Sequence, residues 1–323
     1  MTLKSIIWNG LLLGALCLAF FLLYRIFEQY SFDQVVESVQ SIPFWRFCVA
    51  LLWAAASYLC LSCFDFLAIR ALGKSLPYPK VALASFVSLS LGHNIGFAGL
   101  SSGAIRYRYY KHWGLTAEDV AKIILFCGVT VALGLVTLGA VAMIVNPVDA
   151  GRLLRIETAT SRLSGSLALL APIAYAVLAF LVRAKLRLWR WSFQLPRFSI
   201  AVAQIAIGTI NFVFVSACLH QVLLAFGSVA FFQSTTAFVL ANSAILATHV
   251  PGGLGVLEAT VAYVVPKEAS IGALIAFRCA YFFIPLTLGT TLLIISEVVF
   301  RRRSRGADDK TEASQKRPQA QSA

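Results

Sequence analysis

Few residues in this chain could do chemistry, and they cluster beside glycine-rich breaks. Arg106 and Arg108, interleaved with Tyr107, Tyr109 and Tyr110, follow Gly92-His93-Asn94-Ile95-Gly96 and Gly99-Leu100-Ser101-Ser102-Gly103. Two guanidiniums at such a place could grip a phosphate in bidentate fashion. The plainer reading is a topology signal with interfacial tyrosines. Glu258 follows Pro251-Gly252-Gly253-Leu254-Gly255, and a helix starting there offers free N–H groups to a phosphate or carboxylate. Glu258 itself reads as a ligand for a cationic headgroup, a proton carrier, or a buried partner of Arg106 or Arg278.

Arg278 stands inside an apolar run and needs a carboxylate, carbonyls or water, with Asp65 the partner the sequence offers. His93 and His249 each mark a break, as proton relays or as ligands of irregular backbone. No Ser/His/Asp grouping, HExxH or clustered carboxylates occur, so no catalytic residue, metal site or cofactor is expected. Cys60 and Cys63 form an isolated C-x-x-C, which reads as buried thiols.

The elements that must position these residues are membrane helices. The 323 residues are 59% hydrophobic and 13% charged, with a mean hydropathy of +0.81. That excludes a soluble enzyme, and the unbroken apolar runs exclude an outer-membrane barrel. Six runs reach the length a bilayer needs: Ile6–Phe27, Pro43–Ile69, Val120–Val145, Gly165–Val182, Phe198–Leu224 and Ile271–Phe300. The first is read as an uncleaved anchor. Val81–Ala98 and Ser228–Val250 are shorter and end in the breaks. Treating both as re-entrant hairpins puts 20 of the 27 Lys and Arg residues on one side. The positive-inside rule makes that side cytoplasmic, with both termini there. The net charge of +13 then reflects topology and does not call for nucleic acid.

The expected fold is therefore an all-α polytopic inner-membrane protein with six full spans, two opposed re-entrant hairpins and eight embedded segments. Its halves, about 1–146 and 164–300, trace mirror-image paths, the pattern of inverted-repeat transporters. At an offset of 152 residues Phe86-Val87 meets Phe238-Val239, Gly103 meets Gly255, Arg106 meets Glu258 and Cys127 meets Cys279. Ser31–Ser41 suits a short interfacial helix, and Arg183–Arg197 reads as a basic loop. Residues 301–323 form a basic tail whose composition predicts disorder.

Two stretches carry a family resemblance. Gly103-Ala104-Ile105-Arg106-Tyr107 with Trp113-Gly114, and Val250-Pro251-Gly252-Gly253-Leu254-Gly255-Val256-Leu257-Glu258, resemble the motifs of the lysylphosphatidylglycerol synthase transmembrane-region, or flippase-like, family. The likeness spans about residues 5–300. It implies movement of an aminoacylated or other anionic phospholipid between leaflets, with Arg106 and Glu258 as functional positions. The soluble aminoacyl-transferase domain of larger members is expected to be absent, so membrane lipids are the expected partners. Two other readings stand beside this one: an ion-coupled carrier of a small solute, and a partner of a separate lipid-modifying enzyme. A homodimer is left open.

Overall fold

The computed structural model describes residues 32–95, 98–182, 185–188, 191–194, 196–248, 255–265 and 271–316. The expected first span, Ile6–Phe27, lies outside them, as do His249, Gly252 and Gly253. Among the described residues, five helices are long and apolar enough to cross a membrane. They are α2 (Phe44–Ala71), α5 (Ala117–Val145), α7 (Thr158–Leu181), α8 (Phe198–Leu223) and the composite Gly272–Phe300. At 1.5 Å per residue they measure about 36–44 Å, beyond the ~30 Å hydrocarbon core. The composite joins α11 (Ile271–Arg278), a π-helical turn (Cys279–Phe283) and α12 (Ile284–Lys316).

Shorter helices come in pairs. α3 (Tyr78–Ile95) packs on α4 (Ala98–His112), and α9 (Phe231–Thr248) packs on α10 (Val256–Val264). The outer ends of the first pair meet near the start of α5. There Lys80 at the start of α3 lies over the Trp113 ring just past α4, and Lys74 pairs with Asp119 at 3.4 Å. A Thr116–Asp119 capping box starts α5, each side chain satisfying a backbone N–H of the other residue.

The outer ends of the second pair meet near the other end of α5. Asn146, just past α5, donates to Thr236 of α9 at 3.4 Å. Asp149 of α6 (Pro147–Leu154) accepts from Gln233 of α9, and the Tyr263 hydroxyl of α10 donates to the Arg152 carbonyl of α6. The described outer ends of the two pairs thus lie beside opposite ends of α5. Moreover α8, α9 and α11 begin 154, 153 and 154 residues after α2, α3 and α5, close to the offset read from sequence.

α2 and α8 form the centre, and α5 packs on both α8 and α7. Glycine makes the α5–α8 approach possible. A Cβ on Gly134 would lie 2.2 Å from the Gly208 carbonyl carbon, so the two backbones touch. One turn away Gln204 donates to Thr130 at 3.0 Å and accepts from Tyr175 of α7 at 2.6 Å.

Some expectations need amending. The expected short helix appears as α1 (Phe32–Gln40), packed on α11. Within the helical fold, Lys185–Leu188 and Trp191–Gln194 pair as antiparallel strands where a plain loop was expected. Lys-Leu-Arg-Leu and Trp-Ser-Phe-Gln alternate with period two, so the strand signal lay in the sequence. α12 also runs on to Lys316, into the stretch whose composition predicts disorder. Extending an existing helix needs no new nucleus, and Ala, Glu, Lys and Gln propagate it readily.

Overpacking the α5–α8 crossing should therefore unfold the bundle. Gly134→Val is expected to abolish monodisperse protein in detergent chromatography or lower its Tm sharply. Gly128→Ala is the matched control, because a Cβ there meets nothing within 4 Å, and it should leave Tm unchanged.

Candidate functional site

Asp65 on α2 is fully buried in an otherwise apolar stretch and must find its partners inside the protein. Arg106 supplies two, Nε to Oδ2 and Nη2 to Oδ1, both at 2.9 Å. The Tyr110 hydroxyl donates to Oδ2 at 2.6 Å, and the Cys127 thiol of α5 reaches Oδ1 at 3.3 Å. Arg106 Nη1 is satisfied by Ser102 at 2.9 Å. Ser102, Arg106 and Tyr110 are spaced i, i+4, i+8 and so share one stripe of α4. That stripe makes a fully hydrogen-bonded guanidinium–carboxylate site joining α2, α4 and α5.

Arg108, two residues on, faces another way, because i and i+2 lie about 200° apart on a helix. It forms a buried ion pair with Glu297 of α12, beside which Tyr109 bonds Ser296. Neither arginine stands open at a mouth to clasp a phosphate; each guanidinium meets a buried carboxylate. Glu297 did not enter the sequence reading, although a lone carboxylate in Ile-Ile-Ser-Glu-Val-Val-Phe was a visible signal.

The second pair of helices carries the opposite charge. Glu258 Oε1 accepts from Arg278 Nε and Nη2, each at 2.7 Å, and Oε2 accepts from the Gly255 N–H at 2.8 Å. Gly255 has φ +80°, which suits glycine, and precedes α10 as its cap. The carboxylate at the third position of α10 therefore sits against the positive end of the helix. Phe282 of the π turn lies 5.8 Å from the Arg278 guanidinium. Unlike the Asp65 site, this one is open on the carboxylate side: the Glu258 side chain is 24% exposed, against 0% for Asp65.

Of the two partners expected for Glu258, Arg278 is the one it meets; Arg106 meets Asp65, which the sequence reading had offered to Arg278. The reason lies in packing, since each returning helix is tied to a span of its own half. His93 ends the run of α3 that faces Tyr58 of α2 and Tyr281 of the π turn, with ring centroids 6.0 and 6.3 Å away. Its Nδ1 is buried and has no hydrogen-bond partner. Asp65, Arg106, Arg108, Glu258, Arg278 and His93 are all placed, and none of the three ion pairs links the two halves except Arg108–Glu297.

The difference in burial separates the two sites experimentally. Asp65→Ala leaves Arg106 buried without its counter-ion and is expected to cost about 3–5 kcal/mol. Glu258→Gln removes the counter-charge of the buried Arg278 but keeps carboxamide acceptors for it and for Gly255 on a partly exposed side chain, and is expected to cost less, about 1–2 kcal/mol. Thermal unfolding of the purified variants in detergent checks the order; similar losses would refute it.

Residues 7–289 match the model of the family described as the lysylphosphatidylglycerol synthase TM region. An uncharacterised protein of Synechocystis sp. is 30% identical over 282 residues, covering 86% of this chain and 88% of its own. The inner membrane protein YbhN of Escherichia coli is 29% identical over 263 residues, covering 77% and 80%. A phosphatidylglycerol lysyltransferase of Staphylococcus haemolyticus is 22% identical over 290 residues, 88% of this chain but 33% of that enzyme. With a family match that spans most of its length, the chain belongs to the lysylphosphatidylglycerol synthase transmembrane-region family.

Proposed function

We propose that this protein is a non-catalytic translocator that carries a phospholipid headgroup, anionic or aminoacylated, between the leaflets of the inner membrane. The observation that carries the reading is the pair of charged sites beside two helix pairs that enter from opposite ends of the bundle. α3, α4, α9 and α10 measure about 27, 22, 27 and 14 Å, short of a ~30 Å core, which suits re-entrant hairpins. Their tips then lie at membrane depth, where irregular backbone survives only against protein or a polar interior.

Opposed hairpins of this kind give one mouth to each leaflet. In the described conformation the Asp65–Arg106 site is closed, and the Glu258–Arg278 site is partly open. That asymmetry is what an alternating-access cycle presents when it rests with one mouth shut. Glu258 and Arg278 would exchange their mutual contact for a headgroup, Arg278 meeting phosphate and Glu258 any cationic moiety. Acyl chains need only an apolar surface, and a groove of about 530 Å³ on the flank of α7 supplies one, lined by Pro172, Ile173, Ala176 and Phe180 with Ile205 of α8. The lysyltransferase relative makes an aminoacylated phosphatidylglycerol a natural first candidate. Both termini face the cytoplasm, the side on which Arg70, Lys74, Lys80, Lys111 and Lys122 gather.

Reconstitution into liposomes with fluorescent phosphatidylglycerol and its lysyl derivative tests this. Leaflet exchange, read by dithionite quenching, should exceed that of empty vesicles. Glu258→Gln and Arg278→Gln should each slow it at least tenfold while the protein stays folded. Exchange equal to empty vesicles for both lipids would overturn the proposal.

A further inference from the structure

The strands Lys185–Leu188 and Trp191–Gln194 lie between the end of α7 and the start of α8. Their register sets Lys185 opposite Gln194, Leu186 opposite Phe193, Arg187 opposite Ser192 and Leu188 opposite Trp191. Directly opposed residues share a face of the ribbon, and successive residues alternate between faces. One face therefore carries Leu186, Leu188, Trp191 and Phe193, and the other Lys185, Arg187, Ser192 and Gln194. The division between apolar and polar is complete.

A two-stranded ribbon alone is marginal in water and needs an apolar surface to rest on. Among the described residues, the two strands pack on each other and on no helix beyond a marginal contact. The cover for the apolar face then comes from outside the described elements. The neighbouring helix ends indicate what it is. Phe180 and Leu181 at the end of α7 and Phe198 at the start of α8 are exposed, and the two phenylalanine rings meet edge-on at 5.5 Å. The apolar groove on the flank of α7 reaches the same three residues. Lipid-facing surface thus continues to the last turn of α7 and the first turn of α8. The ribbon starts where hydrocarbon gives way to headgroups.

Charge narrows the cover further. Residues 183–197 include Arg183, Lys185, Arg187, Arg190 and Arg197 and no Asp or Glu. A run of one sign beside a bilayer is drawn to an anionic leaflet. Tryptophan with aliphatic residues on one face and cations on the other is the composition of an element lying in the interface. We propose that this ribbon is an amphipathic β-anchor lying in the plane of the membrane surface. Its Leu186, Leu188, Trp191 and Phe193 face meets the headgroup–acyl boundary of an anionic leaflet, and its Lys185 and Arg187 face lies at the level of the phosphates. The inference concerns how the chain rests on its membrane and goes beyond the translocation reading.

Probes on alternate residues test it. Each of the eight strand residues is replaced singly by cysteine in the full chain, labelled in detergent with the fluorophore NBD, and reconstituted in nanodiscs of phosphatidylcholine and phosphatidylglycerol. Label taken up by the unsubstituted protein is subtracted. Aqueous iodide should quench Lys185→Cys, Arg187→Cys, Ser192→Cys and Gln194→Cys about threefold or more above Leu186→Cys, Leu188→Cys, Trp191→Cys and Phe193→Cys. A lipid with a doxyl group near its headgroup should reverse that order. In discs of phosphatidylcholine alone the contrast should fall by about half or more.

Equal iodide quenching on both faces would overturn the inference by leaving the ribbon in water. Protection of the apolar face from both quenchers would overturn it by assigning that face to protein. An unchanged contrast in phosphatidylcholine would overturn the choice of an anionic leaflet. If one apolar-face variant fails to fold, the other three report the same alternation; failure of all four would make the face structural and overturn the anchor.

Discussion

A carboxylate sealed from solvent must find every hydrogen bond within the protein, and at Asp65 that requirement fixes where α2, α4 and α5 meet. Its donors come from a guanidinium, a phenol and a thiol on two neighbouring helices. Because Arg106 and Tyr110 are four residues apart, the rotation of α4 about its axis is set by this one contact. Arg108 and Tyr109 are then turned by helical geometry toward α12, where Glu297 and Ser296 receive them. The first hairpin is thus held on two faces by polar contacts that follow from a single orientation. In a largely apolar bundle, where apolar packing is weakly directional, these contacts specify register more than they add stability.

The second hairpin is held more lightly. Its carboxylate lies on the returning helix itself and is shared between a side chain of α11 and the backbone of its own helix start. One half encloses its charges and the other leaves them near a surface, although the elements recur at nearly constant spacing. The difference in enclosure follows from where each half places its acid: on a central span in the first, on a short helix in the second.

Much of this was legible in the sequence. Apolar run length reported the spans, the glycine breaks reported both short helix pairs, and the offset of 152 anticipated the spacing of the elements. The intramembrane charges Asp65, Arg106, Glu258 and Arg278 stood out because they are costly there. Their pairing did not, since two acids and two bases on four helices leave more than one solution, and only packing decides between them. Glu297 carried the same signal, a lone carboxylate in an apolar run; what the sequence did not carry was its convergence with Arg108. Ser57 of α2, Asn211 of α8 and Tyr281 of the π turn, joined through the Ser57 hydroxyl, were hidden for a different reason: a lone hydroxyl or amide in an apolar run is common, and their convergence exists only in three dimensions. The strand pair after α7 shows the reverse case, a period-two pattern present in the sequence but read as a loop because of its charge.

The contact between Gly134 and Gly208 has a mechanical meaning for the whole molecule. Backbones that touch can neither approach further nor slide without a step, so one span of each half is pinned at a point. A pinned crossing leaves rotation as the free motion, with the contact as fulcrum. The arms on either side of a fulcrum move in opposite senses, so widening the bundle at one face narrows it at the other. In the translocation cycle proposed above, short helix pairs mounted on opposite arms would open in turn and never together, and the membrane would stay sealed throughout.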